Sequence, residues 1–451
     1  MLFWFIIITV LSLFCQAQDT TSYPSVVPTC KSNDTSLIQS GTKLRVAVIS
    51  HYSIVATFFS NPEAAAREAA SLLNMDLEWD RHVVSSSAKM KEDIQNALDS
   101  GVDGMIVSIP NQEIYETVKE ATKTGIPIIV FNTGMEYAQK LGLMRVLQSD
   151  KKSAETMANE LKRRNYTRPL AVQITSSRDL DEKTFSTRAN GISQYLGRPI
   201  DILSVTNDFE KALIEVEKTF SSGSYDSIIS LGGLAGVDLI TAASLNIHKR
   251  SPDRRLTVAF YDAGSKRNMS DIFNSFPEAF GISQLPYYQA SLPVFMMYIQ
   301  LTTGYSPFIN KTVNTGPNLV TKETYSEYVY GDGNSIIPGE DLGANIGVVV
   351  INSEGDTYQS GIMAGIYDLA GKLNWTVTLA KEDGLVGNSS ALKQHVKALV
   401  DGGVHGLILQ SSDPTLLNYT VRLTDSHNVP LAVIGTFWES LDLGQYKNNS
   451  K

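Results

Sequence analysis

The sequence predicts an α/β protein with two doubly wound, parallel-sheet lobes and a third lobe that repeats the first. Three observations support this fold class. Short apolar segments alternate with helical segments from residue 44, the alternation restarts near residue 171, and the first part of the pattern returns from residue 344. Apolar strands that alternate with helices indicate a parallel sheet covered on both faces. The 451 residues suit about three domains at roughly 150 residues each.

The N-terminus has the layout of a secretory signal peptide, which we assign to residues 1–17. Its apolar run, residues 2–14, is shorter than the roughly 20 residues that span a bilayer, and Cys15-Gln16-Ala17 suits cleavage after Ala17. An uncleaved membrane anchor is the alternative. Residues 18–43 are rich in Ser, Thr and Pro and predict a flexible leader, which contains Cys30.

The first lobe begins with an apolar strand at residues 44–50. A helix follows, with Asn61 as its N-cap and Pro62 as its first residue, and its alanine-rich body suits close packing on a sheet. The same alternation then predicts strands near 77–79, at 104–109 and at 126–132, with helices around 90–99 and 113–123.

The second lobe repeats this alternation. We predict strands at 171–175, 201–205, 227–231 and 256–262, with helices around 187–195, 210–220 and 237–245. Residues 281–284 lead into a long apolar helix at 287–301, and residues 318–322 are a further strand candidate. We assign residues 44–149 and 285–308 to the first lobe, and residues 150–284 and 309–325 to the second. Paired α/β lobes bind small ligands between the carboxyl ends of their strands.

A linker at residues 326–343 precedes an incomplete repeat of the first lobe at residues 344–451. Residues 44–74 align with residues 344–374 at a constant offset of 300. Residues 101–108 align with 403–410, and residues 126–134 with 429–437, so the offset grows by only three. A register kept over ninety residues indicates an internal repeat.

Composition excludes several function classes. The net charge of −9 provides no basic surplus for a nucleic-acid partner. Six histidines without a pair at metal-binding spacing and two cysteines predict no metal site. The glycines of residues 232–236 lack the spacing of a dinucleotide-binding turn, so we predict no cofactor. No motif of nucleophilic or metal-dependent catalysis is present, so we predict no catalytic residues and no enzyme.

The candidate ligand-binding residues are aromatic, amide and carboxylate side chains at or just after predicted strand ends. Aromatic faces suit the C–H faces of a sugar ring, while amides and carboxylates hydrogen-bond to neighbouring hydroxyls. Each residue alone also has a structural explanation, such as a helix cap or a hydrophobic staple. The candidates are Phe58, Phe59, Asn132, Phe209, Asp262 and Gln284.

Together these positions resemble the type 1 periplasmic binding protein family, specifically the ribose/galactose-type sugar-binding proteins. The resemblance covers residues 44–322 and, as a first lobe only, residues 344–438. It implies two lobes that close over a sugar. The residues that carry it are Phe58-Phe59 before the first helix, Asn132 in the place of a sugar-binding aspartate, Asp208-Phe209, Asp262 of the FYD motif and Gln284 of the SQLP motif.

The sequence departs from the family pattern at several polar positions. Thr133 stands where the family often has arginine, Gly232-Gly233 where it has an Asn-Asp pair, and Ile109 where it has asparagine. With these departures, we expect the site to keep its aromatic walls but to offer fewer hydrogen-bond partners to ligand hydroxyls. It should therefore also accept less hydroxylated rings. In the third lobe Gln359 aligns with Phe59 and Gly435 with Asn132, so that copy is degenerate as a sugar site.

We therefore expect a secreted, non-catalytic solute-binding protein that closes two lobes over a sugar or related polyol. The alternatives are the ectodomain of a larger membrane receptor and, with less support, a secreted α/β enzyme. A membrane receptor or transport partner would suit a location outside the cell or on the extracellular face of the plasma membrane. The candidate glycosylation sites are the Asn-x-Ser/Thr positions Asn33, Asn165, Asn268, Asn310, Asn374, Asn388, Asn418 and Asn448.

Overall fold

The computed structural model describes two units, one within residues 38–338 and the other from residue 343 onward. The described residues are 43–51, 57–80, 86–174, 182–262, 266–304, 311–328, 343–350, 357–380, 389–411 and 413–434. The signal peptide, almost all of the leader and most of the linker predicted from the sequence lie outside them. So do the candidate glycosylation sites Asn33, Asn310, Asn388 and Asn448, and Gly435.

The strands are short, as is usual for buried parallel strands. In chain order they are β1 (Arg45–Ile49), β2 (Asp76–Trp79), β3 (Gly104–Val107), β4 (Ile128–Phe131), β5 (Met144–Leu147), β6 (Pro169–Ile174), β7 (Asp201–Val205), β8 (Ser227–Ser230), β9 (Thr257–Tyr261), β10 (Phe280–Ser283), β11 (Thr312–Asn314), β12 (Asn318–Val320), β13 (Asn345–Val349), β14 (Thr376–Ala380), β15 (Gly406–Gln410) and β16 (Leu431–Ile434).

The helices lie between these strands. In chain order they are α1 (Ser60–Leu72), α2 (Ser87–Ser100), α3 (Gln112–Thr122), α4 (Met135–Lys140), α5 (Asp150–Arg163), α6 (Glu182–Leu196), α7 (Phe209–Ser222), α8 (Leu234–Arg250), α9 (Lys266–Ser275), α10 (Pro286–Thr303), α11 (Tyr325–Tyr328), α12 (Thr357–Lys372), α13 (Ser389–Asp401) and α14 (Pro414–Ser426).

The first lobe is a parallel sheet with the strand order β11-β5-β4-β3-β1-β2. Helices α2 and α3 cover one face, and α1 and α10 pack against each other. The side chains of Ser86 and Asn111 cap α2 and α3 by accepting backbone N–H groups. Helix α10 approaches the sheet closely at Gly104. A Cβ on this residue would lie 2.4 Å from the sulfur of Met297.

The second lobe has the strand order β12-β10-β9-β8-β6-β7, in which β12 is antiparallel to β10 and the other neighbours are parallel. Alternate residues of each central strand point to opposite faces. Val258 and Phe260 pack on the side of α7, α8 and α9, whereas Ala259 and Tyr261 pack on the side of α5 and α6. The predicted α/β class with doubly wound, parallel-sheet lobes is therefore confirmed.

The structure differs from the predicted lobe boundary at residues 309–325. Strand β11 pairs with β5 in the first sheet, and only β12 joins the second. The third crossing between the lobes therefore lies at residues 315–317. Strand β5 was not predicted, because the buried Arg145 interrupts its apolar run, and neither were the helices α4 and α5 that flank it.

The unit after residue 343 contains a four-stranded parallel sheet with the order β14-β13-β15-β16. This is the order of β2-β1-β3-β4 in the first lobe. The registers also agree, because Asn345 pairs with Thr376 as Arg45 pairs with Asp76. Helices α13 and α14 cover one face, with Leu392, Val396 and Leu416 in its core.

Candidate functional site

An aromatic cluster stands where β1, β2 and β4 end. Phe59 is 4% exposed, and its ring makes edge contacts with Phe58 and His51 at 5.0 Å between centroids, with Trp79 at 6.3 Å and with Phe131 at 6.5 Å. The predicted residue Phe59 is thus part of a packed wall, whereas Phe58 is half-buried at its margin.

His51, which the sequence analysis did not nominate, follows β1 beside this wall. Its backbone N–H donates to Ser108 Oγ at 3.2 Å, and its ring Nδ1 lies 3.0 Å from the same oxygen. Ser108 is fully buried just after β3. The two residues place polar atoms at adjacent strand ends, next to the ring of Phe59.

Asn132 follows β4 and has a left-handed backbone (φ 63°), which asparagine tolerates better than most residues. Its Nδ2 donates to Oε1 of Gln289 on α10 at 2.9 Å. Asn132 itself is half-buried. The predicted residue Asn132 therefore lies at the carboxyl edge of the first sheet, with its amide nitrogen held by another side chain.

Asp262 occupies the equivalent place after β9 in the second lobe and is also left-handed (φ 68°). Its Oδ1 accepts from Nε2 of Gln284 at 2.6 Å, and its Oδ2 accepts from the backbone N–H of Gly233 at 3.2 Å. The predicted residues Asp262 and Gln284 are thus in direct contact, and both are buried.

The pair Gly232-Gly233 has a structural reason. A Cβ on Gly232 would lie 2.6 Å from Nη1 of Arg188 and 2.8 Å from the ring of Phe185, and its φ is 152°. Glycine at position 232 therefore leaves room for Arg188. The backbone N–H of Gly233 donates a hydrogen bond to the carboxylate of Asp262.

Arg188 is the main polar residue of the site that sequence reasoning missed. It is 3% exposed, its Nε lies 3.1 Å from Asp150 Oδ1, and its Nη1 lies 3.8 Å from Asp262 Oδ2. Nη1 also donates to the carbonyl of Leu231 at 2.8 Å. A signal was present, because Arg188 shares the inward face of α6 with Ala189 and Ile192, where a charged residue is unusual.

Burial and ion pairing act in opposite directions on the ionisation of Arg188 and Asp150. Burial opposes the charge of Arg188, but the carboxylates of Asp150 and Asp262 outweigh it, and the pKa of Arg188 is raised. Burial raises the pKa of the Asp150 carboxyl even though Arg188 acts in the opposite direction. The site therefore holds a buried cation between two carboxylates at the carboxyl edge of the second sheet.

Phe209 stands apart from the other candidates. It is the first residue of α7, directly after the N-cap Asp208, and it is 43% exposed. Within the part of the chain that the structure describes, Phe209 makes no aromatic contact with Phe58 or Phe59. The structure thus joins Asp262 to Gln284, links Asn132 to them through Gln289, and leaves Phe209 on the surface of the second lobe.

The arrangement offers ring faces, amides, a carboxylate pair and a guanidinium, which can bind hydroxyl groups. Among the described residues, no group of three or more His, Cys, Asp or Glu side chains could hold a metal ion. No helix in those ranges is long and apolar enough to cross a membrane.

A family model described as a periplasmic binding protein domain matches residues 46–302. A carbohydrate transporter of Acidothermus cellulolyticus in complex with myo-inositol is 22% identical, with 63% of this chain and 96% of that chain covered and a TM-score of 0.56. A solute-binding protein of an ABC transporter from Burkholderia graminis, in complex with D-arabinose, is 18% identical, with 65% and 100% covered and a TM-score of 0.54.

A periplasmic sugar-binding protein of Legionella pneumophila is 18% identical, with 61% of this chain and 100% of that chain covered and a TM-score of 0.53. At such identities the likeness shows the fold. No curated protein sequence matches the chain.

Proposed function

The chain belongs to the periplasmic binding protein family, and from this we propose that it binds a sugar or related polyol between its two lobes without catalysing a reaction. One observation carries the proposal. The carboxyl edges of both sheets contribute polar side chains to one hydrogen-bond network, in which Asn132 of the first lobe connects through Gln289 and Gln284 to Asp262 of the second. Ligands of open α/β sheets bind at this edge.

The chemistry of the two sides supports a hydroxylated ring. The aromatic wall around Phe59 offers apolar faces, and Phe58 lies at its half-buried margin. Asp262 and the guanidinium of Arg188 supply an acceptor and a donor on the other side. The ligands named for two structural neighbours, myo-inositol and D-arabinose, belong to this chemical class.

We also propose that the protein works outside the cell, because the predicted signal peptide directs it into the secretory pathway. A ligand-binding ectodomain of a larger membrane receptor remains the alternative. Sequencing the transcript past Lys451 distinguishes the two, because the receptor requires a membrane-spanning segment downstream.

Titration calorimetry of the full chain with myo-inositol, D-arabinose and a panel of monosaccharides tests the proposal. We expect one of these ligands to bind, and Asp262→Ala to weaken binding by about 2–3 kcal/mol, because the ligand loses a charged acceptor and Gln284 is no longer oriented by the carboxylate. Asp271→Ala, at an exposed position of α9, is the matched control. Absence of binding to every sugar and polyol would contradict the proposal, and turnover of any of them would favour the enzyme alternative.

A further inference from the structure

Gln289 lies at the point where the two lobes meet, and neither the sequence motifs nor the ligand chemistry accounts for it. It sits in the first turn of α10 and is 1% exposed. Its Nε2 is within hydrogen-bond distance of three oxygens: Thr315 Oγ1 at 3.0 Å, Gln284 Oε1 at 3.1 Å and the Gln284 carbonyl at 3.2 Å. Gln284 and Thr315 belong to two different crossings between the lobes, so one side chain connects both.

The orientation of each amide in this network follows from the carboxylate at its end. A carboxylate only accepts hydrogen bonds, so Gln284 must turn its Nε2 toward Asp262. Gln284 then presents Oε1 to Gln289, which must donate a hydrogen bond from its Nε2. Gln289 therefore presents Oε1 to Asn132, and Asn132 must donate its Nδ2. The charge of Asp262 in the second lobe thus fixes the orientation of an amide in the first.

The consequence for Asn132 is a defined polarity. Its amide nitrogen is used by Gln289, and within the described ranges no hydrogen bond reaches its Oδ1. Asn132 therefore offers a neutral acceptor, which suits a hydroxyl that donates. Without Gln289 the amide could rotate and present either its oxygen or its nitrogen.

We propose that Gln289 is a positioning residue that fixes the amide of Asn132 as an acceptor for a ligand hydroxyl and ties the lobes together at two crossings. The part that concerns the ligand rests on the proposed function. The part that concerns the lobes does not, because it follows from contacts within the free protein.

The first experiment uses no ligand. Spin labels at Lys119→Cys on α3 and Lys218→Cys on α7, in the full chain with Cys15→Ser and Cys30→Ser, report the distance between the lobes by pulsed electron resonance. We expect Gln289→Leu to broaden or shift the distance distribution. The matched control is Gln300→Leu on the same helix, since Gln300 Oε1 is buried, has no hydrogen-bond partner among the described residues and lies outside the network.

A double-mutant cycle separates positioning from a loss of stability. Gln289 reaches the crossings through Gln284 and Thr315, so Asn132→Ala should leave the distance distribution unchanged, and the double variant should match Gln289→Leu alone. Circular dichroism confirms that each variant is folded, and Gln289→Met serves as a second variant if the leucine variant does not fold. An unchanged distribution in a folded Gln289 variant, or an equal shift caused by Asn132→Ala, would overturn the proposal for the lobes.

The second experiment measures binding of myo-inositol and D-arabinose by calorimetry. For a probe that binds the native protein, we expect Gln289→Leu to weaken binding about tenfold, as for one lost hydrogen bond. The double variant should bind no more weakly than Asn132→Ala alone. Additive losses would overturn the positioning role. If neither probe binds the native protein, the proposed function fails for these ligands, and the distance measurements still decide whether Gln289 ties the lobes.

Discussion

Replacing Arg188 by methionine should destabilise the second lobe by an amount that depends on pH. The arginine lies 3.1 Å from Asp150 and 3.8 Å from Asp262, and its side chain is 4% exposed. Removing one partner of a buried ion pair costs about 3–5 kcal/mol because the remaining charge is uncompensated. Asp150 keeps 32% of its side-chain surface exposed, which lessens this cost. We therefore expect about 3 kcal/mol at pH 7.

The pH dependence has a defined sign. Burial already raises the pKa of Asp150, and the loss of Arg188 removes the main effect that lowers it. A carboxyl whose pKa is higher in the folded state favours folding most at pH values below its unfolded pKa, about 3.9, and this contribution is lost as the pH rises through the folded pKa. The penalty of Arg188→Met should therefore be largest at neutral pH and shrink toward pH 4.

Native-state hydrogen exchange of peptides from β8 and β9 measures this penalty in the second lobe itself. Tryptophan fluorescence does not, because the tryptophans Trp4, Trp79, Trp375 and Trp438 all lie outside that lobe. Arg198→Met, at an exposed position, is the control. A penalty below about 1 kcal/mol, typical of surface ion pairs, or one that does not change with pH, would refute the reasoning.

Three further predictions concern packing and the surface. Gly104→Ala should lower stability by about 1–3 kcal/mol in thermal unfolding, because its Cβ would lie 2.4 Å from the sulfur of Met297, whose fully buried side chain must then shift. Gly371→Ala, with open space around it, should not. Phe59→Ala should cost about 3–5 kcal/mol in urea unfolding, whereas Phe209→Ala at 43% exposure should cost under about 1 kcal/mol, and equal costs would contradict the assigned burial. Asn165 is exposed, so secretion from eukaryotic cells should add a glycan that Asn165→Gln abolishes, and an unchanged mass would disprove it.

The ends of β4, β9 and β10 could be predicted from the sequence because each follows a largely apolar segment. Asn132, Asp262 and Gln284 were found in this way, and the structure places all three at the carboxyl edges of the sheets. Their connection could not be predicted, because Gln289 is 157 residues from Asn132 along the chain. Every residue of its helix from Tyr288 to Met297 is buried, so the position of Gln289 carries no periodic signal.

Arg188 shows a second limit of sequence reasoning. The arginine belongs to a helix, whereas the search for ligand-binding side chains followed strand ends. Its partners Asp150 and Asp262 are 38 and 74 positions away, and only the folding of α5, α6 and β9 around one point brings them together. The same folding explains the glycine at position 232, which the sequence presented only as a missing polar side chain.

The left-handed backbone at Asn132 and Asp262 restricts which amino acids these two positions accept. Branched and bulky residues are strained in that conformation, whereas Asn, Asp and Gly are not. A saturation-mutagenesis library screened for folding alone should therefore retain only a few amino acids at each of these two positions. Selection for backbone shape and selection for ligand chemistry then act on the same few residues. The alignment of the predicted repeat sets Gly435 against Asn132, and glycine is a residue that selection for this backbone shape alone would favour.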